Sequence, residues 1–230
     1  MSDHIVSAFT DELDKLAADI LRMGGIVETM ILDACSAVNK NDVELAREVV
    51  ARDPQVDKLE ADVERQIVSL IARRQPMAHD LRAVFSALKV VGELERVGDL
   101  SKNIAKRAQR LDENVGPSMR KGIYRMASPV SRQLNMVLDA YATGNASAAK
   151  AVWEGDDDID QDYNSLFREM LTYMIEDPRT IGAGAHMLFM AKNLERIGDH
   201  CTNIAEFVYF QATGEYLLST DRPKTPQIDG

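Results

Sequence analysis

Hydrophobic residues recur every three to four positions through most of the chain. The clearest series places seven apolar side chains on one face of a helix: Leu13, Leu16, Ile20, Met23, Val27, Met30 and Ala34. The same spacing predicts helices over 42–74 and 80–111, and three more over 123–141, 146–175 and 181–210. Asn39-Lys40-Asn41, Gln75-Pro76 and residues 114–117 separate these segments. The pattern therefore predicts an all-α protein of six helices.

Several residues interrupt these helical patterns. Gly24-Gly25 costs about 1 kcal/mol per glycine relative to alanine, and it indicates either a slight kink or the close approach of a neighbouring backbone. Pro54 should break or kink the second helix, because proline removes a hydrogen-bond donor and clashes one turn back. Pro129 predicts a kink early in the fourth helix. The acidic run Asp156–Asp158 interrupts the fifth.

The second half of the chain repeats the first. Leu94–Asp99 reads LERVGD and returns as Leu194–Asp199, which reads LERIGD. Two further matches lie in the same order: Asn103-Ile104-Ala105 with Asn203-Ile204-Ala205, and Met30–Ala34 with Met136–Ala140. The repeat predicts two pseudo-symmetric three-helix bundles, over 9–113 and 118–213, whose short connections favour antiparallel neighbours. Residues 214–230 are expected to form a flexible tail.

Composition excludes several classes of protein. The 230 residues carry a formal net charge of −10 with a pI of about 4.9, which argues against a nucleic-acid binder. Two cysteines, Cys35 and Cys201, are far apart and predict neither a thiolate metal site nor a disulfide framework. No signal peptide and no apolar run of roughly 20 residues is present, so we expect a soluble intracellular protein.

Pairs of carboxylates four residues apart mark both copies of the repeat. Glu95 lies over Asp99 on its helix, and Glu195 over Asp199. Two anions about 6 Å apart repel by roughly 3 kcal/mol at an effective dielectric near 20. Each pair also continues a row of apolar positions, so acids stand where the pattern would place hydrophobic side chains. Such pairs require a positive neighbour.

A second set of pairs precedes the first along the chain. Asp53 and Asp57 flank Val56, and Asp156 and Asp160 flank Ile159. Measured from hairpins near Met77 and Arg179, the paired acids lie at similar distances along antiparallel helices, so at ~1.5 Å per residue they come level within about a turn. Each bundle is therefore predicted to present four carboxylates from two adjacent helices.

Two interpretations of these acids stay open. Oxygen ligands without His or Cys suit hard cations such as Mg²⁺, Ca²⁺, Mn²⁺ or iron, which predicts one metal site per bundle. Alternatively, Asp53 caps a helix that starts at Pro54, and the other acids are solvated and pair with lysines or arginines. Four scattered histidines (His4, His79, His186 and His200) are expected at the surface or the edge of the core. No catalytic motif occurs, so we predict a protein that is not an enzyme.

The ordered set of motifs resembles the PhoU family. The resemblance rests on Met23-Gly24-Gly25, Arg74-Gln75-Pro76, Asp80-Leu81-Arg82, both LER[VI]GD copies and Leu171–Asp177, and it extends over roughly 9–211. It implies two pseudo-symmetric three-helix bundles, a homodimer, and metal binding through E(D)-x-x-x-D motifs. The matching positions are Asp53, Asp57, Glu95, Asp99, Asp156, Asp160, Glu195 and Asp199. Pro54 departs from the motif, which puts Asp53 in doubt.

The resemblance also implies a function. PhoU proteins are cytoplasmic negative regulators of the phosphate regulon, which connect the ATPase subunit of the phosphate ABC transporter to a sensor histidine kinase and limit uptake. They reach the membrane through these partners. The implied metal is a divalent or trivalent ion (Mg, Mn, Fe, Zn or Ca) whose identity the residues leave open. Two rivals stay open: a metal-dependent helical-bundle enzyme, which would normally carry Glu-x-x-His motifs, and a structural dimeric scaffold.

Overall fold

The computed structural model describes residues 2–111, 115–155 and 157–217, and it is helical throughout these ranges apart from short connections. The helices are α1 (Ser2–Lys40), α2 (Val43–Arg74), α3 (His79–Ala108), α4 (Pro117–Thr143), α5 (Ala146–Glu154), α6 (Asp157–Glu176) and α7 (Ile181–Thr213). A 3-10 turn at Pro178–Thr180 precedes α7. The predicted all-α class and the six helical segments are confirmed, with α5 and α6 together forming the fifth segment.

Local chemistry explains where the helices begin and end. Asp42 and Asn145 cap α2 and α5, each accepting a hydrogen bond of 3.0 Å from the backbone amide three residues later. Gly144 and Gly214 end α4 and α7 in the left-handed conformation that favours glycine. The acidic run interrupts the fifth segment as expected, since α5 ends at Glu154 and α6 begins at Asp157.

Two expectations about the helices need correction. Pro54 does not break α2, which continues from Val43 to Arg74, so Asp53 is not the cap of a helix that starts at Pro54. The fourth helix begins at Pro117 rather than at residue 123, because proline in the first turn lacks only an amide that would have no helical partner there.

The seven helices enclose one continuous core. Helices α1, α3, α7 and α4 form a closed central ring in which each packs against the next. Helix α2 covers α1 and α3, whereas α5 and α6 cover α4 and α7. The two three-helix bundles therefore share their inner helices as a common interface, across which Glu28 of α1 accepts hydrogen bonds from Ser131 and Asn135 of α4.

Helices α3 and α7 run antiparallel through the centre. Ser86 Oγ donates to the Phe207 carbonyl (3.0 Å) near one end, and Arg107 Nη1 lies 3.4 Å from His186 Nδ1 near the other. This register brings the two LER[VI]GD motifs side by side at the midpoint. The repeats are thus related by a pseudo-twofold axis that passes between these motifs.

The C-terminal residues that the structure describes lie against the same helices. Leu217 is buried, and the Tyr216 ring stacks on Phe210 with 4.4 Å between centroids. Of the tail predicted over 214–230, residues 214–217 are therefore packed against the helices, and residues 218–230 lie outside the described residues. No described helix has both the length and the apolar character needed to cross a membrane.

The Gly24-Gly25 pair is explained by packing at only one of its positions. A Cβ on Gly24 would lie 2.6 Å from Leu138 Cδ1 of α4, whereas a Cβ on Gly25 would meet nothing within 4 Å. The close neighbour of Gly24 is thus a side chain rather than the backbone that one interpretation expected, and α1 continues through both glycines.

This difference predicts that alanine stabilises the protein at position 25 and is tolerated less well at position 24. Gly25→Ala should raise the free energy of unfolding by about 0.5–1 kcal/mol, because alanine favours the helix and has room. Gly24→Ala should be less stable than Gly25→Ala by about 1–3 kcal/mol, because Leu138 must move within a packed core. Urea denaturation of both variants measures the difference, and equal stabilities would contradict this account of Gly24.

Candidate metal-binding site

Glycines in the two LER[VI]GD motifs let the acidic helices approach each other. A Cβ on Gly98 would lie 3.2 Å from Val56 Cγ1, and a Cβ on Gly198 would lie 3.2 Å from Ile159 Cδ1. Both contacts are tight, so any side chain larger than glycine would force its neighbour to move. Because Asp53 and Asp57 flank Val56, this packing brings them level with Glu95 and Asp99 in the first repeat, as the spacing predicted. In the second repeat, Ile159 holds the equivalent place beside Gly198.

A lysine joins the acids of the first repeat. Lys102 Nζ donates to Asp53 Oδ2 (2.7 Å) and also to Asp99 Oδ1. Asp53 is only 8% exposed, so Pro54 has not displaced it from the site. Burial would lower the pKa of Lys102, but the two carboxylates outweigh burial and raise it. The ammonium thus supplies the positive neighbour that Asp53 and Asp99 require.

Glu95 lies close to the same acids, but the hydrogen bonds of Lys102 go to Asp53 and Asp99 and not to Glu95. Its half-buried carboxyl has a raised pKa, first because burial disfavours the charged form and then because Asp99 and Asp57 are close. Asp57 itself is exposed. All four predicted acids of the first repeat therefore lie in one region, with a single lysine among them.

Glu60 is a further acid of this region that the sequence interpretation missed. Burial raises its pKa to about 7, and the carboxylates of Glu95, Glu64 and Asp57 contribute in the same direction. A signal was present, because residues 53, 57, 60 and 64 follow steps of four, three and four and so place an acidic stripe on one face of α2.

The second repeat is arranged differently. Lys192 Nζ donates to Glu195 Oε1, and although burial would lower the pKa of Lys192, the nearby Glu195 and Asp199 raise it. Glu195 Oε2 is buried without a hydrogen-bond partner. Asp160 and Asp199 are exposed, and Asp156 lies outside the described residues. The structure therefore locates three of the four predicted acids of this repeat.

The two lysines occupy non-equivalent positions. With a repeat offset of 100, Lys102 corresponds to Thr202, and Lys192 corresponds to Gly92. One lysine follows its E-x-x-x-D pair by three residues, and the other precedes its pair by three. The two repeats therefore place their lysine counter-charge at non-equivalent positions.

A buried amide distinguishes the second repeat further. Gln133 is 8% exposed and neither polar atom of its side chain has a hydrogen-bond partner in the described structure. Its Oε1 lies 3.3 Å from where a Cβ of Gly198 would stand, and Val27 holds the corresponding place beside Gly98. The sequence interpretation did not identify Gln133, because a single polar residue on an apolar helix face gives no periodic signal.

The predicted metal ligands are carboxylate oxygens, and in each repeat a lysine contacts some of these carboxylates. Among the residues that the structure describes, no three His, Cys, Asp or Glu side chains are grouped in a way that would hold a metal ion. Asp99 pairs with a lysine, as the alternative interpretation expected. The assignment of the eight acids as metal ligands stays a prediction.

The raised pKa of Glu60 predicts a pH dependence of stability. Its pKa of about 7 exceeds the ordinary value of 4.5, so the folded state holds the proton more tightly and the free energy of unfolding should fall as pH rises from 4.5 to 7. Glu60→Gln should flatten this fall, whereas Glu60→Asp, which keeps a carboxyl, should retain it. Urea denaturation at several pH values tests this, and an unchanged slope in Glu60→Gln would contradict it.

Comparison with known proteins agrees with the fold and with the internal repeat. A family model described as the PhoU domain matches residues 20–108 and again 123–208. The chain is 49% identical to a protein of Caulobacter vibrioides named phosphate-specific transport system accessory protein PhoU homolog, over 97% of both chains. It is 45% identical to the protein of the same name from Rhizobium meliloti, over 96% of this chain and 93% of that one.

Solved structures are similar over nearly the whole length. PhoU from Pseudomonas aeruginosa is 38% identical with a TM-score of 0.85, and the match covers 90% of this chain and all of that one. The phosphate transport system regulatory protein PhoU from Streptococcus pneumoniae is 29% identical with a TM-score of 0.84, over 91% and 99% of the two chains. The chain belongs to the PhoU family and carries two copies of its domain.

Proposed function

We propose that the chain is an accessory protein of phosphate transport that restrains phosphate uptake and phosphate-regulon signalling. The observation that carries this proposal is the 49% identity, over 97% of both chains, with the C. vibrioides phosphate-specific transport system accessory protein PhoU homolog. Identity at this level over the full length extends beyond the buried core to the surface, where partners bind. The similarity therefore supports a shared role as well as a shared fold.

In this proposal the chain acts in the cytoplasm, as an adaptor and not as an enzyme. It binds the ATPase subunit of the phosphate ABC transporter and a sensor histidine kinase, functions as a homodimer, and associates with the membrane through these partners. Regulation requires that it bind one state of a partner more tightly than the other, since equal affinity shifts no equilibrium. The shared core of the two bundles supports this role because it holds distant surfaces in a fixed relation.

Deletion of the gene tests the regulatory role. Without the chain, phosphate-regulon expression should stay high in phosphate-replete cells, because nothing restrains the kinase. Expression of the chain from a plasmid should restore repression, and an affinity-tagged copy should retain the ATPase subunit of the transporter. The empty plasmid is the control. Normal repression in the deletion strain would contradict the proposal.

We also propose that the acidic clusters bind metal ions. The charge of the first cluster supports this, because Glu60 and Glu95 both have raised pKa values and, among the residues that the structure describes, Lys102 is the one ammonium bonded to the group. Asp53, Asp57, Glu95 and Asp99 would hold the ion in the first repeat, and Asp156, Asp160, Glu195 and Asp199 in the second. The bound cation would neutralise the acids and link the helices that carry them. Lys102 would have to leave Asp53 and Asp99.

Replacement of Lys102 tests metal binding. Lys102→Met leaves Asp53 buried without its cation and should lower the free energy of unfolding by about 1–3 kcal/mol in chelator. Mn²⁺ or Mg²⁺ should stabilise this variant by about 2.7 kcal/mol when the free ion is at 100 times its dissociation constant, because the ion takes the place of the ammonium. The same ion concentration should stabilise the wild type less, because Lys102 competes with the ion.

Lys150→Met provides the control for this experiment. Lys150 forms a surface pair with Glu154 on α5, so its loss removes the same charge without exposing a buried carboxylate. Its stability should change little, and metal should affect it as it affects the wild type. If metal stabilises none of the three proteins, the acids serve as a lysine-bridged structural cluster and the metal proposal is wrong.

A further inference from the structure

The pseudo-twofold axis relates two equivalent environments along the α3–α7 interface. They differ in charge, because one contains a carboxylate and the other is lined by cations. An offset of 100 converts a residue of α3 into its equivalent on α7. Glu93 on α3 therefore corresponds to Asn193 on α7. Asn203, which contacts Glu93 from α7, corresponds to Asn103 on α3. One environment contains a carboxylate, and the other has an amide in its place.

The first environment is complete. Glu93 Oε2 accepts a hydrogen bond from Asn203 Nδ2 (2.9 Å) and lies 2.7 Å from His200 Nδ1, while Glu93 Oε1 accepts from Arg96 (2.8 Å). Although burial alone would raise the pKa of Glu93, these partners outweigh burial and lower it. The Glu93 carboxylate is thus the built-in anion of this environment, and it joins the two repeats.

The second environment is a pocket of about 300 Å³, at the lower end of the volumes typical of small-molecule sites. The residues that line it are Asn103, Lys106, Arg107, Arg110 and Asn193. Every charged residue among them is a cation. The amide of Asn103 corresponds to that of Asn203, which donates to Glu93 in the first environment, but Asn193 offers no carboxylate. Donors thus converge on the pocket from two helices.

The cations of this pocket are not neutralised by the described part of the chain. Lys106, Arg107 and Arg110 form no salt bridge with any acid that the structure describes, although the net charge is −10. The Arg107 guanidinium lies over the Phe189 ring, 4.2 Å from its centroid, and 3.4 Å from His186 Nδ1. These neighbours hold it in place and leave its charge intact. Asp112 and Glu113 lie outside the described residues.

Position at the end of α3 accounts for only part of this arrangement. Cations are favourable near a helix C-terminus, which explains Lys106 and Arg107. It does not explain Arg110 beyond the helix, nor the amide of Asn193 that faces the same pocket from α7. The equivalent positions of the other repeat are Glu206, Phe207 and Phe210, so the cations are not a general property of the repeat.

We propose that this pocket binds a tetrahedral oxyanion of the phosphate class, either as the free ion or as the phosphoryl group of a larger molecule. The anion would take the place that the Glu93 carboxylate holds in the equivalent environment. Arginine suits this ligand because its planar fork donates two parallel hydrogen bonds to an oxyanion. Asn103 and Asn193 would donate from the two repeats, so the bound anion would join α3 to α7.

Titration of the purified full-length chain with inorganic phosphate tests the proposal. At constant ionic strength, calorimetry should detect saturable binding, and the side-chain amide NMR signals of Asn103 and Asn193 should shift. Arg107→Gln should weaken binding by about tenfold or more, because a charge-assisted hydrogen-bonding group is lost. Arg73→Gln, which removes the same charge near the C-terminal end of α2, should bind phosphate as the wild type does.

Asn193→Glu provides the sharper test. The new side chain supplies the carboxylate that Glu93 supplies in the first environment, so phosphate binding should be abolished while the helical circular-dichroism spectrum is retained. Asn193→Gln keeps the pocket neutral at this position and should still bind. If Asn193→Glu does not fold, the comparison of Arg107→Gln with Arg73→Gln decides the question.

Parallel titrations distinguish the two sources of the ligand. Binding of inorganic phosphate alone identifies the free ion, whereas ADP that competes with phosphate and binds at least as tightly identifies a phosphoryl group on a larger molecule. The proposal is overturned if neither binds saturably, if Arg73→Gln weakens binding as much as Arg107→Gln, or if only a glutamate-rich peptide binds through Arg107. No transporter or kinase is needed, so the result is independent of the regulatory proposal.

Discussion

Close packing of an aliphatic side chain against a glycine determines how closely the outer and inner helices of each repeat approach each other. Val56 over Gly98, and Ile159 over Gly198, bring an outer helix of each repeat against an inner one. In the first repeat, Asp53 and Asp57 flank the aliphatic residue and Glu95 and Asp99 flank the glycine, so the same contact brings these carboxylates together. Tight apolar packing and the accumulation of negative charge therefore occur at the same place.

The energy of that arrangement depends on how its charge is compensated. Removing a cation from a buried pair usually costs more than the pair itself contributes, since the remaining charge has lost both water and partner. Lys102 is in this position between Asp53 and Asp99. Glu60 and Glu95, which the lysine does not contact, have raised pKa values, first because they are partly buried and then because other carboxylates are close. A cation placed beside Glu60 and Glu95 would be expected to lower the pKa of both carboxyls.

Periodicity and repetition predicted most of the fold, because both depend on many residues at once. The six helical segments, the duplication and the levelling of Asp53 with Asp99 all followed from spacing. Pro54 was misjudged, since a helix held by packing on both flanks tolerates a proline that its own propensity disfavours. Lys102 and Gln133 were missed because their importance comes from contacts between helices, which no local pattern encodes. The identity of a bound metal depends on geometry finer than spacing.

Glu93 and Asn193 are equivalent positions with different side chains, and this difference breaks the symmetry of the two repeats. A duplicated chain with identical halves would present the same surface to a ligand on both sides of its axis, as a symmetric dimer does. Here the environment on one side of the axis contains an internal carboxylate, and the equivalent environment on the other side is cationic. The α3–α7 interface therefore presents a different charge on each side of the axis, and this difference gives the pseudo-symmetric chain a polarity.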